Sequence, residues 1–263
     1  MIVICLLLAL MLERLRITPA EWQVDGTAQR FDRWLFEHNT FSSARQHETF
    51  GPFLLLLPAL LLAVLMLLGT GGLTHFIINI LVLTWVVGCR AKREAIREWF
   101  LAVQRDDTDT QKAQIRNLLG DGIENSALSD HLLWLNFRFY FSVAFWFVLF
   151  GAPGALAYGF LRANEESIRP VMRWVDWLPA RVAGFAYLLV GNFSKGMPVW
   201  LAHLPKFEDA RETLLEIAHA AEEVEPDENN IAAEPEAMLA LARRSTILLL
   251  AAIALATLFG WVV

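Results

Sequence analysis

The chain has 263 residues, of which 56% are hydrophobic and only 19% are charged, and its formal net charge is −6. Soluble domains carry about 25% charged residues, and the apolar residues here fall in long uncharged runs. The composition therefore excludes an ordinary soluble enzyme and predicts an all-α polytopic integral membrane protein. The acidity is local, because 11 of the 28 acidic residues lie between Phe207 and Ala237. We expect the lipid bilayer to be a partner and expect no nucleic acid.

The first predicted element is the apolar run of residues 2–12. It lacks a basic leader and a small-residue cleavage site, so we interpret it as retained rather than as a signal peptide. At about 1.5 Å per residue it covers roughly 16 Å, about half of a hydrocarbon core. It must therefore tilt or be sheltered by other helices.

Residues 52–68 and 73–89 form the next two uncharged runs, each 17 residues long. A short glycine-rich turn separates them, so they are predicted to form a tight helical hairpin. Pro58 lies inside the first run and Pro153 inside a later one, where each removes a backbone donor and is expected to kink its helix.

Three further runs follow, at residues 139–161, 182–193 and 245–263. The sequence therefore predicts about five or six membrane helices, some of them short or re-entrant. If all six cross, 18 of the 22 Lys and Arg residues fall on the cytoplasmic side, as the positive-inside tendency requires. A re-entrant segment near residues 178–193 fits the same charge distribution.

Residues 1–263 are interpreted as one membrane domain with two helical portions in the cytoplasm. Residues 90–138 form a basic helical loop that begins with an amphipathic stretch at 90–105. Residues 194–245 contain an acidic amphipathic helix at 207–224. This helix either packs on the basic loop or remains a solvated face repelled by anionic lipid.

Small residues recur at every fourth position in two runs, namely Gly151, Ala155 and Gly159, and Ala252, Ala256 and Gly260. Such stripes let helices approach closely, either within one chain or at a homodimer interface.

Cys5 and Cys89 both lie in apolar runs and are predicted to be packing residues. The six histidines are dispersed, so neither a metal site nor a cofactor is predicted. His75 and Asn79, four residues apart in an apolar run, are expected to form hydrogen bonds between helices.

Three polar segments are candidates for a ligand site at the membrane surface. They are the Glu13-Arg14 pair, Asn136 and Arg138 before the fourth run, and Asp176 to Arg181 around Pro179. Pro179 suits the first turn of a helix, where Arg181 and free backbone N–H groups would bind an anion together. Pairing of Arg181 with Asp176 is the alternative. The predicted ligand-binding residues are Glu13, Arg14, Asn136, Arg138, Asp176 and Arg181.

The same segments carry a family resemblance. The strings from Leu133 to Tyr140 and from Val175 to Gly184, the opening Glu13-Arg14-Leu15 and the closing Phe259-Gly260-Trp261 resemble the AmpE family. AmpE proteins belong to the wider CobD/CbiB-like membrane proteins. Pro179-Ala180-Arg181 and Gly151-Ala152-Pro153-Gly154-Ala155 with Tyr158 are similar to motifs of the cobalamin-synthesising relatives.

The resemblance implies a regulatory protein of the bacterial inner membrane that modulates β-lactamase induction. It would act by binding a partner or a small anionic, cell-wall-derived ligand. The alternative is an amide-ligase-like enzyme related to the adenosylcobinamide-phosphate synthases. Such chemistry needs acidic metal ligands and phosphate-binding loops. Most of the relatives' acidic motifs are absent here, which favours a protein without catalytic residues.

Overall fold

The computed structural model describes residues 2–15, 23–38, 45, 47, 50–68, 71–120, 127–207, 209–224 and 230–260. These residues form helices joined by short turns and contain no strand, which confirms the all-α prediction. The chain divides into two compact units. The first comprises Met1–Gly88, Phe139–Asp176 and Leu250–Val263, and the second comprises Cys89–Arg138 and Trp177–Leu249.

The helices of the first unit begin with α1 to α5, whose bounds are Ile2–Arg14, Val24–Glu37, Gly51–Leu54, Leu57–Leu67 and Gly72–Val87. The predicted run at 52–68 is therefore two helices, because the chain turns at Leu55 and Leu56. Pro58 lies in the first turn of α4, directly after this break in the run. A proline in a first turn removes no helical hydrogen bond. His75 on α5 bonds to the carbonyl oxygen of Met66 on α4 at 2.9 Å, which joins the two helices at their turn.

Helix α9, Ser142–Ala163, contains a sharp break at Gly151, whose φ is +66° and ψ is −155°. The break reverses the chain. The Arg162 guanidinium lies 3.8 Å from the ring centre of Phe139, whereas 23 residues of straight helix would separate these positions by about 34 Å. A Cβ added at Gly154 would lie 2.5 Å from the Trp146 carbonyl oxygen. These pairs define an antiparallel arrangement centred on Gly151, which we call the Gly151 hairpin (residues 139–163).

The tip of the Gly151 hairpin is capped by a side chain from α5. The first backbone N–H of the second arm, at Ala152, donates to Asn79 Oδ1 at 3.3 Å. Pro153 follows and has no N–H to satisfy. The predicted hydrogen bonding of His75 and Asn79 between helices is therefore confirmed.

The second arm of the hairpin packs inside the first unit. A Cβ added at Gly159 would meet methyl groups of Val24 and Val86 at 3.1 Å, and Ala155 is fully buried. The first stripe of small residues thus packs against α2 and α5 of the same chain. Ala252, in the second stripe, is exposed.

Two described helices are long and apolar enough to cross a membrane, Ala127–Ala163 and Ala233–Leu258, and a third is added if α5 and α6 count as one bent span. The first segment is the one that the Gly151 hairpin folds back. This segment is therefore not one straight helix.

The helices of the second unit begin with α6 (Arg90–Gln104), α7 (Thr108–Leu119) and α8 (Ala127–Asn136). Trp99 on α6, Ile115 on α7 and Leu132 on α8 share one apolar core. Ile96, Phe100 and Val103 pack against that core, so the amphipathic stripe predicted for residues 90–105 is confirmed and is covered by protein.

The chain continues through a π-helical turn, Phe137–Phe141, into α9. Helix α10 spans Arg169–Val190 and contributes its residues from Trp177 onward to the second unit. It is followed by α11 (Phe193–His203), α12 (Ala210–Ala221) and α13 (Ala233–Leu258). The predicted acidic amphipathic helix corresponds to α12, whose Leu214, Ile217 and Ala218 are fully buried.

A second reversal occurs at Gly191 and Asn192, between α10 and α11. A Cβ on Gly196 would meet Leu188, and a Cβ on Gly184 would lie 3.1 Å from the Trp200 ring. The two helices are therefore antiparallel neighbours, which we call the Asn192 hairpin (residues 177–207). Residues 182–193 end in a turn at Gly191 and Asn192, and whether this segment crosses or re-enters the membrane stays a prediction.

Candidate functional site

Arg162 is the central polar residue at the open end of the Gly151 hairpin. Its side chain is 3% exposed and pairs with Asp25 at 2.7 Å. It also donates to the Val86 carbonyl oxygen at 3.1 Å and lies over the Phe139 ring. A carboxylate, a carbonyl and an aromatic face thus replace the water that burial removes from the guanidinium.

Two tyrosines bind buried carboxylates in the same unit. Tyr158, one helical turn before Arg162, donates to Asp176 Oδ1 at 2.9 Å. Tyr140 lies 3.5 Å from both oxygens of Glu13. Glu13 and Asp176 are each only 3% exposed. We call these residues, together with Arg162 and Asp25, the hairpin cluster.

Arg181 organises the open end of the Asn192 hairpin in the second unit. It donates to the carbonyl oxygens of His203 at 2.9 Å and Lys206 at 2.6 Å, and it lies over the Trp177 ring. Trp200 donates back to the Arg181 carbonyl at 3.0 Å. Since a helix C-terminus carries partial negative charge, Arg181 acts as a cationic cap for α11.

The expectation that Pro179 lies in the first turn of a helix is wrong. Helix α10 begins ten residues earlier, at Arg169. Pro179 is therefore interior, and Arg181 faces a helix C-terminus instead of the predicted N-terminus. Trp residues and a charged pair around a proline are typical of the start of a helix at a membrane surface. Here the tertiary packing of α10 stabilises a longer helix, so the local sequence pattern did not predict where the helix begins.

Asn136 and Arg138 lie at the end of α8 and in the π-helical turn. Asn136 Oδ1 accepts a hydrogen bond from Thr246 on α13 at 3.0 Å. Arg138 lies over the Trp134 ring, 5.6 Å from its centre. Asn136 thus links two helices of the second unit.

The six predicted site residues divide equally between the units. Glu13, Arg14 and Asp176 belong to the first, and Asn136, Arg138 and Arg181 belong to the second. Glu13 and Asp176 each bind a tyrosine of the hairpin cluster, whereas Arg14 is exposed at the end of α1. In the second unit Asn136 binds α13 and Arg181 binds α11. That all six line one ligand pocket stays a prediction.

Sequence reasoning missed Arg162, Asp25 and Thr246. Arg162 directly follows an apolar run, a position where a basic residue is usually taken as a topology signal. Its burial follows from the reversal at Gly151, for which the signals were Gly151, Pro153 and Gly154 in close succession.

Ion pairs of α12 and of the two residues that follow it also hold the second unit together. Glu223 pairs with Lys195, Glu222 pairs with Arg244 at 2.6 Å, and Glu216 bonds to His203 at 2.7 Å. His219 binds Asp130 on α8 at 2.8 Å, and this hydrogen bond raises the pKa of His219 above its ordinary value. The acidic helix therefore has specific partners on α8, α11 and α13.

Acidic, histidine and cysteine side chains do not gather into a metal-binding set of three or more anywhere in the described residues. Cys5 and Cys89 are both buried, in agreement with their predicted packing role.

Comparison with known proteins identifies the family. A family model described as regulatory signalling modulator protein AmpE matches residues 1–263. The chain belongs to the AmpE family. Protein AmpE of Shigella flexneri is 27% identical over 282 residues, which cover 97% of each chain. No solved structure matches the chain. The resemblance seen in the sequence is thus confirmed, and the AmpE family is one of regulatory signalling modulators.

Proposed function

We propose that this protein is a multi-pass protein of the bacterial inner membrane that modulates β-lactamase induction. The observation that carries the proposal is the match to the AmpE family along the entire chain. Its apolar helices, two to three of which are candidates for crossing a bilayer, support the membrane location.

We further propose that the second unit binds a small anionic ligand derived from the cell wall. Three predicted residues, Asn136, Arg138 and Arg181, lie in this unit. Both arginines lie over indole rings, at 5.6 Å for Arg138 and 5.4 Å for Arg181. A guanidinium recognises carboxylates and phosphates in two-point contacts.

The regulatory role is tested by deleting the gene in its own host and measuring β-lactamase activity before and after addition of an inducing β-lactam. We expect the deletion to change the induced activity several-fold and the intact gene on a plasmid to restore it. Equal basal and induced activities in the deleted and parent strains would overturn the regulatory role.

The ligand site is tested in the same complementation assay. Asn136→Ala and Arg138→Met are expected to lose most of the complementation while the protein remains at normal level in the membrane fraction. Arg97→Met is the matched control, because Arg97 is an exposed arginine of the same unit. Full complementation by both site variants would refute the site and leave the regulatory role standing.

A further inference from the structure

The outer face of the Asn192 hairpin carries most of the large apolar side chains that are exposed in the second unit. Nine large apolar side chains are exposed among the described residues of this unit, and seven of them lie on the hairpin. The seven are Leu178, Phe185, Leu189, Phe193, Leu201, Leu204 and Phe207, while the other two are Ile231 and Ile247. Helices α6 to α8 contribute none. An apolar patch this localised marks an interaction surface.

The exposed side chains follow one side of each helix. Leu178, Phe185 and Leu189 are separated by seven and four residues, which places them on one face of α10. Along α11 and the residue that follows it, Phe193, Leu201 and Leu204 are separated by eight and three residues. Lys195 is the one exposed charged side chain between Trp177 and Leu204, because Arg181 and His203 are buried. Water solvates such a surface poorly.

The opposite face of the hairpin is occupied by protein. A Cβ on Gly184 would meet Ile217 of α12, and a Cβ on Gly196 would lie 3.5 Å from Ala221. Exposed Glu212 and Glu216 lie on α12. One face of the hairpin therefore packs on the acidic helix α12, and the exposed apolar face lies on the other side of the hairpin.

The length of α11 and the polar groups at the tip do not fit a bilayer crossing by the hairpin. Helix α11 has 11 residues, about 16 Å of helix against a hydrocarbon core of about 30 Å. At the tip, the Asn192 N–H donates to the Ala221 carbonyl at 2.7 Å, and Lys195 pairs with Glu223. Burying the tip in hydrocarbon would carry these charged groups with it, which is costly. Both ends of the hairpin must stay at the water surface.

We propose that the Asn192 hairpin lies flat in the headgroup region of an anionic leaflet, with Phe185, Leu189 and Leu201 inserted at the acyl boundary. Amphipathic helices bind lipid in this orientation, with their apolar face about 5–10 Å deep. Lys206, at the open end of the hairpin, is an exposed cation that complements anionic headgroups, whereas Lys195 at the tip is paired with Glu223. The hairpin attaches the second unit to the membrane surface.

The test uses the full chain in vesicles of phosphatidylethanolamine and phosphatidylglycerol at a molar ratio of 3:1. Nitroxide labels are placed on single cysteines replacing Phe185, Leu189 or Leu201 in a Cys5→Ala, Cys89→Ala background. Collision rates with oxygen and with a water-soluble nickel chelate then report the depth of each label. Ala202→Cys, an exposed small residue on α11, repeats the measurement without removing a large side chain. Asn117→Cys, exposed on α7 of the same unit, is the aqueous control.

We expect all hairpin labels to favour oxygen over the chelate by at least tenfold more than the Asn117 label, at similar shallow depths. Chelate access equal to that of Asn117 would overturn the proposal, since the face would be in water. Protection from both reagents would overturn it in favour of a protein partner. A depth that increases steadily from residue 178 to residue 189 would overturn the flat orientation. Equal depths in pure phosphatidylcholine vesicles would overturn the role of anionic headgroups.

Discussion

Arg162 illustrates how this protein accommodates a charge in apolar surroundings. Its guanidinium pairs with the Asp25 carboxylate, donates a hydrogen bond to the Val86 carbonyl and lies over the Phe139 ring. The carboxylates of Glu13 and Asp176 instead accept hydrogen bonds from the hydroxyls of Tyr140 and Tyr158. Each buried charge therefore has a specific polar contact, which fixes the positions of α1, α2 and the two arms of the Gly151 hairpin.

Replacing Arg162 by Met is expected to lower the free energy of unfolding by about 3 kcal/mol, because Asp25 loses its buried partner. The measurement is unfolding by sodium dodecyl sulfate in mixed micelles. The double variant with Asp25→Asn should recover at least about 1 kcal/mol of this loss. Arg169→Met is the control, since Arg169 is exposed, and should change stability by less than about 0.5 kcal/mol. A loss in the control equal to that of Arg162→Met would contradict the assignment.

His219 is expected to make stability depend on pH. Its pKa is raised chiefly by the hydrogen bond to Asp130, so the protonated form is favoured in the folded protein. The stabilisation is present in full below the ordinary histidine pKa of about 6.5 and is lost as pH rises through the raised pKa. His219 is nearly half exposed, which makes the effect small. His219→Gln should lower the melting temperature at pH 6 and leave it unchanged at pH 9. An equal decrease at both pH values would show that proton binding plays no part.

At the scale of elements, both helical hairpins depend on residues that terminate a helix abruptly. Gly151 adopts a positive φ, and Gly191 and Asn192 form the other turn. The apolar runs, the amphipathic helices α6 and α12 and the uncharged hairpin of α4 and α5 were all predictable from periodicity and length. The reversal at Gly151 was not, because residues 139–161 read equally well as a straight span of 23 uncharged residues. Distinguishing the two requires the contacts of Gly154 and Arg162, which are not local in sequence.

Gly151→Ala is expected to destabilise the Gly151 hairpin by about 1–3 kcal/mol, because side chains other than hydrogen are strained at this backbone conformation. Gly72→Ala is the matched control. Gly72 lies in the first turn of α5 with open space around it, so alanine there should be neutral or slightly stabilising. Unfolding midpoints in mixed micelles provide the comparison. Two variants of equal stability would contradict the strained turn.

Asn79→Leu is expected to cost about 1–2 kcal/mol, because the Ala152 N–H would lose its partner at the hairpin tip. Hydrogen exchange of the Ala152 amide, followed by mass spectrometry of peptides covering residues 148–156, measures this directly. Faster exchange in the variant is the expected result. Exchange at the wild-type rate would show that Asn79 does not protect the tip.

For the whole molecule, the high apolar content is used in two different ways. Part of it forms helices long enough to cross a bilayer, such as α13, and part forms hairpins that turn back. Composition established the membrane class, and sequence motifs established the AmpE family. The surroundings of the six predicted site residues followed less well from the sequence. These six residues lie in two units, and the partners of Arg162, Asn136 and Arg181 lie more than 20 residues away along the chain.

The central claim is that the chain reverses at Gly151 and thereby assembles the hairpin cluster. It is tested most directly by placing two nitroxide labels at residues 140 and 163 of the cysteine-free full chain in phospholipid vesicles. Dipolar broadening then gives the distance between the labels. The reversed chain predicts a separation below about 20 Å, whereas an uninterrupted helix predicts about 35 Å. A distance distribution centred near 35 Å would contradict the account.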